Sequence, residues 1–468
     1  MAPEEPHVGQ SGRVRRVSVL QRLGERFWFR PALLCVAAFV LAEGLIALDR
    51  WRSPALVPDW MAVLLYRVGE SGSRDILGAI ASSSLAVAGT TFSITIAVLA
   101  LTSSSYGPRL VRNFMADRGN QAVLGVFVAT FLYSLLVLRS IRVIGDPGDQ
   151  DGKAFVPHLA VNAAVLLAVL NVAVLVYFIH HISDSIQVSS LASSVRQDLL
   201  RTIDRLYPAE IGHGGRGDEA TAAGALPEEI ERYGMPVTAA RCGYVQSVDD
   251  DELMGAARRN DVLIALRTRP GQYVLDDTVI ALVHPPARAE AAGGEIQGAF
   301  HVADARSPYQ DPEFGVQQLT EMAVRALSPS TNDPYTAINA LSDLSVGLAR
   351  LAARTPPSAT RLDEDGTARV HAPAVSVAEL IGSVIDAMRW HAAAAPGVMH
   401  ATLGIVELVG DHARTQALRA ELAAHVDLLE EAFTAAGNLP HDVARLTEHA
   451  AAVRASLVRP GPGDGEVE

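Results

Sequence analysis

The chain has 468 residues, 49% of them apolar and only 19% charged, with a formal net charge of −13. A soluble chain of this length divides into about three domains, whereas a positive mean hydropathy of +0.20, with the apolar residues gathered into runs, indicates part membrane and part soluble. The acidic balance, concentrated in the second half, argues against nucleic acid as a partner. Cys35 and Cys242 lack CxxC or Cys/His spacing, so neither a disulfide framework nor a zinc site is implied.

Residues 1–30 form a basic leader carrying Arg13, Arg15, Arg16, Arg22, Arg26 and Arg30. Four apolar runs follow: 31–48 (PALLCVAAFVLAEGLIAL), 76 to about 101, 121–138 (QAVLGVFVATFLYSLLVL) and 156–182. Each meets the roughly 18–20 residues needed to cross about 30 Å of hydrocarbon, so residues 31–182 read as a four-span domain. A cleaved signal peptide is the rival for the first run, but the leader is long for one and no small-x-small site follows Leu48. Arginines orient the spans. The leader and the second connection, with Arg109, Arg112 and Arg118, belong inside, and the acidic connection GDPGDQDGKA outside. Arg50, Arg52, Arg67 and Arg74 run against that scheme. Four spans place both termini in the cytoplasm.

The second span is dense in hydroxyls: SSSLAVAGTTFSITIAVLALTSSS, 82–105. At about 100° per residue, Ser82, Ala86, Gly89, Ser93 and Ala97 share one arc, continued by Ala100 and Ser104. Ser84, Thr91, Thr95, Val98 and Thr102 fall on the opposite side. Small residues four apart let helices approach closely, so the first stripe reads as a packing face. The threonines either bond to their own backbone one turn back or line an aqueous path in an oligomer. A helix from Asp75 to Ser105 would be about 46 Å long, which requires tilt or projection from the bilayer. Glu43, Asn162 and Asn171 are the other intramembrane polar groups. Glu43 lies within reach of interfacial water, and the asparagines read as interhelical hydrogen-bond partners. Arg109, Arg112 and Arg118 satisfy the inside rule, contact anionic headgroups, or ring a mouth that favours anions.

The soluble half opens with a connecting helix and a breaker-rich linker, GHGGRGDEATAAGALPEE, within 183–234. From 235 to 304 short β-branched runs (AARCGYVQSV, DVLIALRT, TVIALV, EIQGAFHVAD) read as a small β barrel or sandwich. Asp311-Pro312 and Asp333-Pro334 each place a carboxylate at N-cap and proline at N1, which starts two helices in a hairpin over 305–353. A second linker at 354–374 precedes a C-terminal helical domain at 375–458 and a disordered tail at 459–468. The expected fold is thus four transmembrane helices plus a cytoplasmic α+β region.

The loop HVADARSPYQDPEFG gathers His301, Asp304, Arg306, Gln310, Asp311 and Glu313 before a helix. It offers groups for an anionic ligand or a metal. Alternatively, Asp311 caps the helix while Arg306 pairs with Asp304 or Glu313. Asp311 and Asp333 should lie at opposite ends of their hairpin, because the helix between them spans about 24 Å. His391 and His400 read as structural histidines in an apolar helical region. No Walker loop, GxSxG, HExxH, Rossmann fingerprint or kinase set occurs, so an enzyme reading has no positive motif.

Two long stretches carry a resemblance. SSSLAVAGTTFSITIAVLALTSSSYGPRLVRNFMADRGNQAVLGVF resembles the membrane signature of the bacterial DUF2254 family, and YQDPEFGVQQLTEMAVRALSPSTNDPYTAINALSDL resembles its soluble signature. Where many relatives read SPGxNDP, this chain has SPSTNDP. The resemblance covers nearly the whole chain and implies a membrane protein. It carries no activity, and the cofactor, ligand or ion remains unknown. Three functions fit the residues. The first is an oligomeric channel or transport-like protein with the second span lining the path and a cytoplasmic regulatory domain. The second is a membrane-anchored sensor or scaffold using the 301–313 loop, and the third a metal-dependent membrane hydrolase using its carboxylates. The partners expected are the lipid bilayer and further copies of the chain.

Overall fold

Lipid offers no hydrogen bonds to a backbone, so long apolar segments must satisfy their own as helices or closed barrels. The computed structural model describes residues 28–51, 69–106, 118–142, 155–185, 188–207 and 228–459. Within them are four helices long and apolar enough to cross a membrane: α1 (Phe29–Trp51), α2 (Glu70–Tyr106), α3 (Arg118–Ser140) and α4 (His158–Ser185). Most of the basic leader, the acidic third connection, nearly all of the linker after the connecting helix and the tail from Pro460 lie outside the described residues. The chain divides into two compact units, 1–187 and 188–468.

In the first unit α3 is the hub, packing on α1, α2 and α4. Gly125 makes the α1–α3 approach possible: a Cβ there would sit 2.6 Å from Leu34 Cδ1 and 3.0 Å from Pro31 Cα. This is small-residue packing in its usual role, because van der Waals fit drives association in lipid. One end of the bundle is tied by polar contacts. Asp49 accepts from the amides of Leu159 (3.0 Å) and Ala160 (3.2 Å), capping α4 from α1. The Tyr133 hydroxyl donates to Ala160 O at 2.9 Å, and Glu43 pairs with Arg139 at 3.4 Å. α2 continues without a break for 37 residues, about 55 Å.

The second unit begins with α5 (Val188–Leu206), whose Leu199 is 1% exposed. After the short α6 (Glu228–Tyr233) come β1 (Met235–Thr238), β2 (Gly243–Val248), α7 (Asp250–Asn260), β3 (Leu263–Leu266), β4 (Tyr273–Val274), β5 (Val279–His284), α8 (Ala289–Ala299) and β6 (Phe300–Ala303). Two helices therefore stand inside the region where sequence alone suggested strands only. DDELMGAARRN becomes α7 because Asp249 caps it by accepting from Glu252 N. Acidic residues fill its first turn and Arg258 and Arg259 its last, complementing the helix dipole. EIQGA is the end of α8, not the start of a strand. Ala289, Ala292, Ile296 and Ala299 form its buried face, and the alternation in EIQGAFHVAD is genuine only across FHVA.

The stretch read as a linker, 354–374, holds a hairpin of β7 (Thr360–Leu362) and β8 (Ala368–His371). β8 pairs parallel to β3, Ile264 opposite Val370, and completes a five-stranded sheet of order β1-β5-β3-β8-β7. A second sheet, β4-β2-β6, packs over the same core of Val245, Ile264, Ile280, Val283 and Ile296. Among the described residues seven helices complete the unit: α5 with α9 (Pro312–Ala326), α10 (Pro334–Ala352), α11 (Val377–His391), α12 (Pro396–His412), α13 (Gln416–Ala435) and α14 (Pro440–Leu457). Asp311 and Asp333 cap α9 and α10, accepting from Phe314 N and Thr336 N, each at 3.0 Å. Leu199 of α5 presses into two glycines, Gly315 of α9 and Gly347 of α10. A Cβ at Gly347 would lie 2.6 Å from Leu199 Cδ2.

Candidate functional site

Helical periodicity divides the second span into two faces, and packing decides where each points. Ser84, Thr91 and Thr95 are 3%, 3% and 8% exposed, turned into the bundle with Leu77, Ala81, Ala88 and Val98. Thr91 donates to Ala88 O at 2.9 Å and Thr95 to Thr91 O at 2.8 Å. Their hydroxyls thus serve their own backbone, and a cavity of only about 10 Å³ remains beside them, bounded by Asn120, Val123 and Phe178. That is about room for one water. Ser82, Ala86, Gly89, Ser93 and Ala97 all lie exposed on the other side, and Gly89 has nothing within 4 Å of its Cβ position. The small-residue stripe is therefore not a packing surface within one chain. Thr102 and Arg118 lie in helix whose side chains are outside the described residues, and Arg109 and Arg112 lie wholly outside them.

The polar face continues across the bundle through residues that a wheel of one span does not connect. Asn171 of α4 donates to Ser84 Oγ of α2 at 3.0 Å and accepts from Thr130 of α3 at 3.2 Å. Thr130 shares its single hydroxyl proton between Asn171 and Val126 O, the latter at 2.9 Å. Asn171 and Thr130 both sit near the middle of their helices, so three spans share one buried amide–hydroxyl network where water is scarcest. Asn162, by contrast, donates to His158 O in its own helix. Asn171 was legible as an interhelical partner; Ser84 and Thr130 became its partners only through packing.

In the soluble unit the loop before α9 is largely turned inward. Arg306 grips Asp311 through two bonds, Nε to Oδ2 at 2.8 Å and Nη2 to Oδ1 at 2.9 Å, and donates to Gln317 at 2.9 Å. Its guanidinium lies 5.3 Å from the centre of the Phe314 ring. Asp311 is 2% exposed. Burial pushes its carboxyl above the ordinary range, against the pull of Arg306 and the Phe314 amide. Gly271, at φ +95°, closes over this pair: a Cβ there would stand 2.3 Å from Asp311 Oδ2. Gln310 exchanges hydrogen bonds with the backbone of Val248, accepting at 2.8 Å and donating at 3.0 Å. Asp304 pairs loosely with Arg241 at 3.6 Å rather than with Arg306. His301 stands opposite Ser247 in the sheet, and Glu313 is 3.9 Å from both Arg269 and Arg306. Gly271, Arg269 and Gln317 complete the cluster. Of these, only Gly271 carries a local signal in the sequence, since it follows Pro270 in a Pro-Gly turn between two β-branched runs.

Grooves open elsewhere in this unit. One, about 550 Å³, is lined by Val346, Leu408, Arg350 and Arg354, but both arginines are held by Asp204 at 2.9 Å. Another, about 450 Å³, runs between α5 and α10 past Ser193, Thr336 and Asn339 and is crossed by an Arg196–Asp343 pair at 2.6 Å. Among the described residues no three His, Cys, Asp or Glu side chains come together as metal ligands.

Four apolar helices followed in sequence by a large mixed α/β unit define a polytopic membrane protein. The chain belongs to the DUF2254 family, described as predicted membrane proteins, whose model matches residues 24–407. It is similar to uncharacterised proteins of Mycobacterium bovis and Mycobacterium tuberculosis, 29% identical over 428 residues that cover 90% of this chain and 79% of each relative. No solved structure matches the chain significantly.

Proposed function

We propose that the chain is a channel or transport-like protein of the bacterial inner membrane, built from several copies, whose second span serves both path and assembly. The supporting observation is the separation of the two faces of α2. Ser84, Thr91 and Thr95 face α3 and α4, while Ser82, Ala86, Gly89, Ser93 and Ala97 face outward. Polar groups inside a membrane either fasten helices to one another or mark a solute pathway, and the second role is the one assigned to this face. On this reading the path follows the polar face of α2 past Thr130 and Asn171 and is closed in the present conformation. The outward small-residue stripe meets the same stripe, or another close-packing helix, of a neighbouring copy. The same reading assigns Arg109, Arg112 and Arg118 of the second connection to a cytoplasmic mouth by their charge, puts both termini on that side, and gives the second unit the regulation of opening.

Reconstitution tests this reading. In nanodiscs the purified chain should have a defined stoichiometry above one, and Gly89→Leu should dissociate it. In liposomes, Thr95→Leu should abolish ion flux while leaving stoichiometry intact. A monomeric wild type, or flux indifferent to Thr95→Leu, would overturn the assignment.

A further inference from the structure

The last helix is joined to its neighbour by an unusual polar contact. α14 packs on α12 and α13 and buries Leu446, Ala450 and Val453. The fit against α12 is close: a Cβ on Gly410 would come 2.2 Å from Leu457 Cδ2. Beside this apolar core, half-buried His400 of α12 and His449 of α14 place their Nδ1 atoms 3.0 Å apart. The ring planes differ by 17° and the centroids are 5.2 Å apart. Imidazoles satisfy all three values only when both Nδ1 atoms lie close to the line joining the ring centres. The rings therefore meet nitrogen to nitrogen, nearly in one plane, and are not stacked face to face.

That geometry fixes the proton count. A neutral imidazole has one N–H and one lone pair, so the contact requires one ring to donate through Nδ1 and the other to accept. One proton lies between the two atoms in the neutral pair and also in the singly charged pair. When both rings are protonated, two N–H groups and two positive charges oppose each other at hydrogen-bond distance, and the contact becomes repulsive. The surroundings reinforce this. Burial, the charge of His449 and that of Arg445 push His400 below the ordinary value of 6.5, with Asp442 opposing. Several charged groups on the other helices of this block are engaged elsewhere. Glu430 and Asp427 of α13 hold Arg454, Asp386 of α11 holds Arg389, and Arg350 of α10 holds Asp204.

We propose that His400 and His449 form a one-proton latch that docks α14 on α12 at neutral pH and releases it on acidification. The sign follows from linkage. The folded pair takes its last proton less readily than free histidine, so unfolded or undocked forms bind more protons below pH 6.5. Docking is complete above that value and weakens as pH falls beneath it. The device is independent of any path through the spans, because both histidines lie in the C-terminal helices.

Hydrogen exchange on the full chain in detergent tests it, read as opening constants after correction for the intrinsic pH effect. Between about pH 7.5 and about pH 5, amides of α14 should open more, approaching about tenfold per pH unit once the second proton enters. Amides of α10 should change much less. In His400→Leu/His449→Leu the pH response of α14 should vanish. Equal opening of wild-type α14 at both pH values, or an undiminished response in the double variant, overturns the latch. If that variant fails to fold, nitrogen NMR of the wild-type imidazoles decides. Coupled titration with one step below 6.5 supports the proposal, and two independent ordinary titrations overturn it.

Discussion

At the scale of single residues, the Arg306–Asp311 pair shows how a feature that resembles a ligand site can be spent on structure. A buried, bidentate pair contributes little over an apolar substitute, but removal of one partner strands a charge. Arg306→Ala should therefore destabilise the soluble unit by about 3–5 kcal/mol, while Arg306→Met/Asp311→Leu should recover much of that loss in urea melts. Gly271→Ala should be damaging as well, since its φ of +95° disfavours a side chain and its Cβ would meet Asp311. Gly366→Ala is the control: φ is +77° but nothing lies within 4 Å, so only the backbone strain remains, about 1 kcal/mol. Thermal midpoints should thus fall further for Gly271→Ala than for Gly366→Ala. Asp311-Pro312 declared its capping role in the sequence because capping is local. Its glycine lid was hidden because Gly271 reaches it from forty positions away, and Arg306, expected to pair with Asp304 or Glu313, turns to Asp311 only through packing.

Among the elements, α5 joins the membrane helices in sequence but is built as part of the soluble core. Leu199 fills the socket made by Gly315 and Gly347, and Tyr207 just beyond the helix donates to Val375 O at 2.9 Å. Leu199→Ala should cost about 2–5 kcal/mol, as for other buried leucines. Gly347→Ala should also destabilise, because its Cβ would stand 2.6 Å from Leu199 Cδ2. The double variant should cost less than the sum, since the shortened side chain vacates the space the new methyl needs. Strict additivity in a double-mutant cycle would show that the socket is not the source of the effect. Element type was legible wherever periodicity was long. The four spans and the helices after Asp311 and Asp333 follow from runs and caps. It failed in the sheet region for a physical reason: α7 and α8 are 11 residues each, and β8 finds its partner β3 only through tertiary folding. Strand preference reflects such context more than local composition.

For the whole molecule, the division at residue 187/188 means that each unit has its own core and its own polar fastening. In the membrane unit the Ser84–Asn171–Thr130 network crosses three spans. Such bonds average about 0.6 kcal/mol and reach about 1.7, because the unfolded segments find other partners in the membrane. Asn171→Leu should accordingly loosen the membrane unit by at most about 2 kcal/mol. Arg306→Ala should act on the soluble unit alone. Unfolding followed by two probes, a label between α1 and α3 and another between α5 and α10, should therefore give two transitions, with Asn171→Leu moving the first and Arg306→Ala the second. A single transition displaced by both variants would mean that the units fold as one cooperative body. A membrane transition indifferent to Asn171→Leu would mean that the buried amide contributes nothing measurable to stability. The second outcome would remove the fastening role, and ion flux through Asn171→Leu would then be the measurement that tests its place in the proposed path.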